Sequence, residues 1–182
     1  MNKSKRDKIR FDVFLASVAL HSALATCDRL RMACGIVNKK RLRGIGYNGS
    51  ISGLSHCDDV GHIMEDGHCI ATRHGEVNAI SNTSREDIRG GQAIVTATPC
   101  INCLKDLIEE GIKEIDVVGE YSNSRGNKHI KKIANQRGVL LKSHNIDWAK
   151  LFQELFDLLA RKGGILYRAE YKLKVIKEKL KK

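Results

Sequence analysis

The sequence predicts an α/β fold: a three-layer sandwich around a mixed five-stranded sheet, with a C-terminal helical extension. Three patterns carry this reading. Beyond residue 74, short β-branched runs alternate with amphipathic stretches, as in parallel strands joined by crossover helices. Upstream, two apolar runs flank a tight basic turn, as in a hairpin. After residue 147 the apolar residues return at helical spacing alone. A chain of 182 residues buries one continuous core, so we expect one domain over 1–146 and the extension over 147–182.

Phe11, Phe14, Leu15, Val18, Ser22 and Ala25 share one helical face, which predicts a buried first helix over Phe11–Ala25. Asp12, Ser17, His21 and Ser22 interrupt the run and speak against a cleaved leader, although Ala23-Leu24-Ala25 imitates a cleavage site. No stretch is long and apolar enough to span a membrane. Met32–Asn38 and Leu42–Gly46 read as strands joined by Lys39-Lys40-Arg41. Gly44, Gly46 and Gly49 surround Tyr47-Asn48, a place where backbone must approach something closely. Residues 50–73 are aperiodic but hold His56, Cys57, His62, His68 and Cys69.

A helix starts near His74 with Val77 and Ile80 facing inward. The strand Ala93–Thr98 ends at Pro99, and the helix Ile101–Glu110 stops at Gly111. A strand Glu114–Gly119, a helix Lys128–Gln136 and a strand Val139–Lys142 follow. Trp148, Leu151, Phe152, Leu155, Leu158 and Leu159 mark an amphipathic helix broken at Gly163-Gly164, and Ile165–Lys182 is expected to be a basic helix.

The net charge of +11 suggests a polyanion binder until it is located. The first ten residues hold five Lys or Arg against Asp7, and residues 161–182 hold nine against Glu170 and Glu178. The 150 residues between them are neutral, so the excess reads as solubilising tails and nucleic acid is not the expected partner. Six cysteines at ligand-like spacings, without a disulfide framework, point to a reducing cytoplasmic setting.

The chemistry sits in His74-Gly75-Glu76 and Pro99-Cys100-Ile101-Asn102-Cys103. A His, a Glu two residues on, and a downstream Pro-Cys-x-x-Cys form the signature of zinc-dependent base deaminases. His74, Cys100 and Cys103 supply three ligands, which leaves a fourth position for water, as in catalytic zinc sites. Cys100 and Cys103 lie one turn apart at a helix start, where the dipole favours thiolates. Zinc brings bound water to a pKa of about 7, and Glu76 is placed to shuttle its proton. A closed structural site completed by Cys69 or another His is the alternative.

His74-x-Glu76-Val77-Asn78-Ala79-Ile80, Pro99-Cys100-x-x-Cys103, Gly111-Ile112-Lys113 and Gly46-Tyr47-Asn48-Gly49 resemble the deoxycytidylate deaminase family over roughly residues 8–142. The resemblance implies a cytidine deaminase-like fold and hydrolysis of dCMP to dUMP and ammonia, supplying dUMP for thymidylate synthesis. It implies that Asn48 binds the deoxyribose, that the backbone at Gly75 holds the pyrimidine, and that Tyr121 lies near the nucleotide. Such enzymes usually carry Ala where this chain has Gly75, which implies either a looser base contact or extra room at the ring. Some relatives hold a second, structural zinc; Cys27 and Cys57 match it, with His68 next and His62 or Cys69 completing the set. Arg31 and Arg85 are candidate phosphate ligands.

Family members are activated by dCTP, with Mg2+ as its companion, inhibited by dTTP, and commonly hexameric. Gly46, Tyr47 and Gly49 would lie near that effector. Two other functions share the zinc motif: a polynucleotide or tRNA adenosine/cytidine deaminase, and a non-catalytic zinc-stabilised nucleic-acid-binding module. The neutral core opposes the first and Glu76 the second.

Overall fold

The computed structural model describes residues 2–122 and 125–178. In chain order the elements are α1 (Lys3–His21, followed by a 3-10 turn at Ser22–Leu24), β1 (Ala33–Asn38), β2 (Arg41–Tyr47), β3 (Gly49–Ser50), α2 (Cys57–Val60), β4 (Met64–Glu65), β5 (His68–Cys69) and β6 (Thr72–Arg73). Then come α3 (Gly75–Ser81), α4 (Arg85–Ile88), β7 (Gln92–Val95), α5 (Ile101–Glu109), β8 (Glu114–Val117), α6 (Asn127–Gln136), β9 (Leu140–Ser143), α7 (Trp148–Leu159) and α8 (Ile165–Arg168). Two compact units result: Ser17–His144, and the first sixteen residues together with the chain from Asn145 onward.

The larger unit holds the expected mixed sheet, ordered β2-β1-β7-β8-β9. β1 runs antiparallel to both β2 and β7, whereas β7, β8 and β9 are parallel. Register puts Cys34, Ile36, Ala93, Val95, Ile115 and Val117 on one face. There they form the core with Ala79, Leu104, Leu107, Ile130 and Ala134 of the helices on that side. On the opposite face Gly35 leaves room for the end of α1: a Cβ there would lie 2.4 Å from Val18 Cγ2. Helices therefore cover both faces.

α1 begins at Lys3, well before the expected start, because its basic turns are locally neutralised. Lys8 pairs with Asp12, and Arg10 pairs with Asp7 at 2.7 Å. The N-terminal charge is thus a helix surface rather than a loose tail. α4 is too short to show periodicity; its Ser84 cap accepts the Asp87 N–H at 3.2 Å. The aperiodic insert folds as paired two-residue strands, β3 with β6 and β4 with β5. Asp66 and Gly67, at φ 49° and 75°, turn the second pair.

The expected basic helix over Ile165–Lys182 is corrected: only Ile165–Arg168 is helical, and residues 179–182 lie outside the described residues. Glu170 takes a left-handed φ of 60°, and the Tyr171 N–H closes the end on the Leu166 carbonyl at 2.9 Å. Beyond it Tyr171, Leu173 and Val175 alternate with Lys172 and Lys174, a period of two that no helix uses. Gln153 of α7 grips this stretch, donating to the Leu173 carbonyl at 3.2 Å and accepting the Val175 N–H at 2.8 Å. No helix among the described residues is long and apolar enough to cross a membrane.

The β1–β2 turn holds Lys39 and Lys40 at φ 48° and 62°, a conformation that costs a non-glycine residue about 1 kcal/mol. Lys40→Gly is expected to raise the unfolding free energy by up to about 1 kcal/mol, read as a higher urea midpoint at constant m.

Candidate active site

Two helix starts build the site. His74 is the N-cap residue of α3, and Cys100, held extended after Pro99, is the N-cap of α5. The Cys103 N–H donates to Cys100 Sγ at 3.5 Å, so the cap bond itself turns this thiol toward Cys103. α3 lies directly on β2 because Gly46 has no side chain; a Cβ there would meet the Ala79 nitrogen at 2.1 Å and the Gly75 carbonyl oxygen at 2.4 Å. Asn78 and Asn82 then stitch the helix to the strand, donating to the carbonyls of Tyr47 and Ile45 at 2.8 and 2.9 Å. Arg73 braces the same helix through Asn78 Oδ1 and Ser81 Oγ.

This placement gathers His74, Cys100 and Cys103. His74 Nδ1 lies 3.2 Å from Cys103 Sγ and 3.6 Å from Cys100 Sγ, and all three donor atoms fall within 4.8 Å of one another. Tetrahedral zinc with bonds of about 2.3 Å to sulfur and 2.0 Å to nitrogen sets donor spacings of roughly 3.5–3.8 Å, so the triangle fits this ion. The hydrogen bond from Cys103, joined by His74 and the backbone N–H, holds the Cys100 thiol down to about 3, while Cys103 is pushed up as the partner that keeps the proton. His74 is raised by its bond to Cys100, against burial and the opposing charge of Arg125.

Glu76, in the first turn of α3, is 2% exposed, and its Oε2 has no hydrogen-bond partner among the described residues. Burial raises its pKa, opposed by its own backbone N–H and by His74. An orphaned carboxylate oxygen costs free energy unless something polar meets it. Its place beside the donor triangle is what a proton carrier for a metal-activated water requires.

His74, Glu76, Cys100 and Cys103 line a cavity of about 400 Å³, together with Asn48, Tyr121 and Thr98. Asn48 is buried and spans the β1 approach: its Oδ1 accepts the Met32 N–H at 2.8 Å and its Nδ2 donates to the Leu30 carbonyl at 2.7 Å. Gly75 does not line the cavity. The space of its missing side chain is taken by Met32 Sδ, 2.6 Å from an ideal Cβ, so the glycine admits Met32 rather than widening the ring pocket.

The candidate phosphate ligands lie elsewhere. Arg31 binds the Ala25 carbonyl and Asp58, at 2.9 Å from the latter, and Arg85 pairs with Glu110 at 3.2 Å. The arginines that do line the cavity are Arg29 and Arg125, which sequence reasoning did not single out. Gly46 and Gly49 serve packing, since a Cβ at Gly49 would lie 2.9 Å from Thr26 Oγ1, and Tyr47 is 37% exposed. None of the three lines the cavity.

A second cluster joins Cys27, Cys57, His62 and Cys69, with donors again within 4.8 Å. Cys27 Sγ lies 3.7 Å from His62 Nδ1, and Cys57 Sγ lies 3.6 Å from Cys69 Sγ. His62 Nε2 meets Asp28 at 2.9 Å, the carboxylate–imidazole arrangement that orients metal-binding histidines. The expected ligand His68 is corrected to His62. His68 is not among the donors gathered within 4.8 Å, and it lines the cavity beside Cys69. Burial and Cys69 push Cys57 up to about 12. Burial opposes ionisation of Cys69, but the Ala71 N–H and His62 bring it to about 7. Cys34 is a core residue of β1.

A mixed sheet presenting a His and two Cys from two helix starts, with a buried Glu alongside, defines a zinc-dependent deaminase. The chain belongs to this family: the family model of the cytidine and deoxycytidylate deaminase zinc-binding region matches residues 10–119. It is similar to ComE operon protein 2 of Bacillus subtilis (strain 168), at 37% identity over 136 residues, covering 74% of this chain and 70% of the relative. Human deoxycytidylate deaminase is 30% identical over 146 residues, covering 75% and 81%. The fold is similar to that of the dCMP deaminase from cyanophage S-TIM5, solved in complex with dCMP and dUMP. That match has a TM-score of 0.63 at 23% identity and covers 79% of this chain and 99% of that chain.

Gly75→Ala is expected to destabilise the protein by about 1–3 kcal/mol through overpacking, and Met32→Ala in the same chain to recover part of the loss. A double-mutant cycle in urea measures this coupling.

Proposed function

We propose that this protein hydrolyses dCMP to dUMP and ammonia, supplying dUMP for thymidylate synthesis. The observation that carries the reading is the buried Glu76 with an unpartnered oxygen beside His74, Cys100 and Cys103. Those three residues would hold Zn2+, whose chemistry is to make water nucleophilic near neutral pH. Glu76 takes the proton from the attacking water as its oxygen bonds C4 of the cytosine. It passes that proton to N3, then takes the proton of the new C4 hydroxyl and delivers it to the exocyclic amine, so that the C4–N bond breaks, the C4 carbonyl forms and ammonia leaves. Its raised pKa suits a group that must both accept and return a proton.

Asn48 keeps one N–H and one lone pair for the sugar beyond its bonds to Leu30 and Met32. The Gly75 backbone is assigned to the pyrimidine and Tyr121 to the nucleotide on the strength of the family resemblance, and Tyr121 lines the cavity. Cys27, Cys57, His62 and Cys69 would hold a second, closed zinc that ties the insert to the core. The same resemblance extends the proposal to activation by dCTP with Mg2+, inhibition by dTTP and hexameric assembly. Six free cysteines suit a cytoplasmic setting.

Glu76→Gln is expected to lower turnover of dCMP by about 10²–10⁴-fold with zinc retained, measured as ammonia release beside metal analysis. Turnover of oligonucleotide or tRNA in place of dCMP refutes the reading. Metal analysis is expected to find two zinc ions per chain; Cys57→Ser should leave one and lower the Tm by on the order of 10 °C.

A further inference from the structure

The two basic ends of the chain do not hang as separate tails. Residues 1–16 and 145–182 fold into one compact unit. Together they hold fifteen Lys or Arg against seven Asp or Glu, so the unit carries +8 of the net +11. Its centre is α7. Lys8 of α1 reaches Glu154 at 3.3 Å, and the neighbouring Gln153 holds the chain beyond α8 through Leu173 and Val175. Lys177 then pairs with Asp147, the N-cap of α7, at 3.1 Å. The stretch from Leu173 to Lys177 therefore runs back along α7 as a fixed extended segment.

This unit presents cations and aromatic rings together. Arg161, Lys162, Arg168, Lys172 and Lys174 are exposed and enter no ion pair among the described residues. Tyr167 and Tyr171 are 52% and 67% exposed. The bond that closes α8, from the Tyr171 N–H to the Leu166 carbonyl, keeps both tyrosines on one turn, with Arg168 between them and Lys172 next in the chain. Clustered positive charge selects a polyanion, and the rings decide which kind. A bilayer would leave the peptide groups of an extended segment unpaired. An acidic polypeptide gives the rings no flat partner. A single nucleic-acid strand supplies both needs: phosphates for the cations and an open base face for each ring. A duplex keeps those faces inside its own stack.

We infer that this unit binds single-stranded nucleic acid, with Arg168, Lys172 and Lys174 on phosphates and Tyr167 and Tyr171 stacked on bases. None of the five lines the catalytic cavity, so the strand is held there and not deaminated. The protein thereby gains a second ligand that does not depend on the proposed reaction. Solubility is replaced as the role of the basic ends, since counterions released from several phosphates supply the affinity.

The test is fluorescence anisotropy on the zinc-loaded, full-length protein with labelled oligo(dT) and oligo(U) of about 20 nucleotides. A single strand is expected to bind more tightly than a duplex of the same length, and added dUMP should leave its affinity unchanged. The tighter of the two oligomers tells whether DNA or RNA is preferred. Tyr171→Ala is expected to weaken binding about five- to hundredfold, and Tyr171→Phe to retain it. Lys172→Gln combined with Lys174→Gln should flatten the slope of log affinity against log salt by about 1.4. Equal or tighter binding of the duplex, of polyglutamate or of phosphatidylserine vesicles overturns the inference. So does displacement of the strand by dUMP, the absence of binding by either oligomer, or an affinity untouched in both Tyr171→Ala and the double variant. A protein that binds the strand in this way but does not deaminate dCMP overturns the proposed reaction and leaves this inference standing.

Discussion

The close approach of α3 to β2 at Gly46 is the constraint on which the site depends. A helix backbone packed within van der Waals distance of a strand backbone leaves no space for even one methyl group. Asn78 and Asn82 satisfy strand carbonyls across the same seam, so the helix is fixed in height and rotation together. That fixes His74 at the helix cap and Glu76 in the first turn, where the carboxylate is buried. Gly75 belongs to the same packing: it faces Gly46 and Tyr47, and its missing side chain is replaced by Met32.

The second consequence is that the two Cys/His clusters are neighbours across one cavity. Cys27 and Cys69 belong to the second cluster and also line the space next to His74 and Glu76. The insert between β3 and β6 has few buried apolar groups; Cys57 is its only fully buried residue between 51 and 70. Metal coordination is the cheapest way to hold such a segment, since four donors replace the hydrophobic burial it lacks.

Much of this was legible in the chain because it depends on short-range order. His74 and Glu76 lie two residues apart at a helix start, and Cys100 and Cys103 lie one turn apart at another. Helical spacing brings Cys100 and Cys103 to one side, whereas His74 stands at the extended cap just ahead of the helix that carries Glu76. The sheet was legible for the same reason, since its strands carry continuous apolar runs that register into one core. The insert was not. Its strands are two residues long, too short for any periodicity, and the Asp66-Gly67 turn that separates His62 from His68 functionally is a local detail among many. The C-terminal stretch misled because a basic, moderately apolar composition suits a helix, while its alternation does not.

The sequence by itself determined the donor residues, the carboxylate next to them and the succession of strands and helices along the chain, because each is written in residue type and local spacing. Tertiary structure decided which histidine joins the second cluster, which arginines reach the cavity and what Gly75 is for. Arg29, His68 and Arg125 come together only when three separate segments converge, and no spacing along the chain encodes that convergence. His62 rather than His68 joins Cys27, Cys57 and Cys69 because the folded insert brings its Nδ1 to Cys27 and its Nε2 to Asp28, a convergence that exists only once the insert has folded.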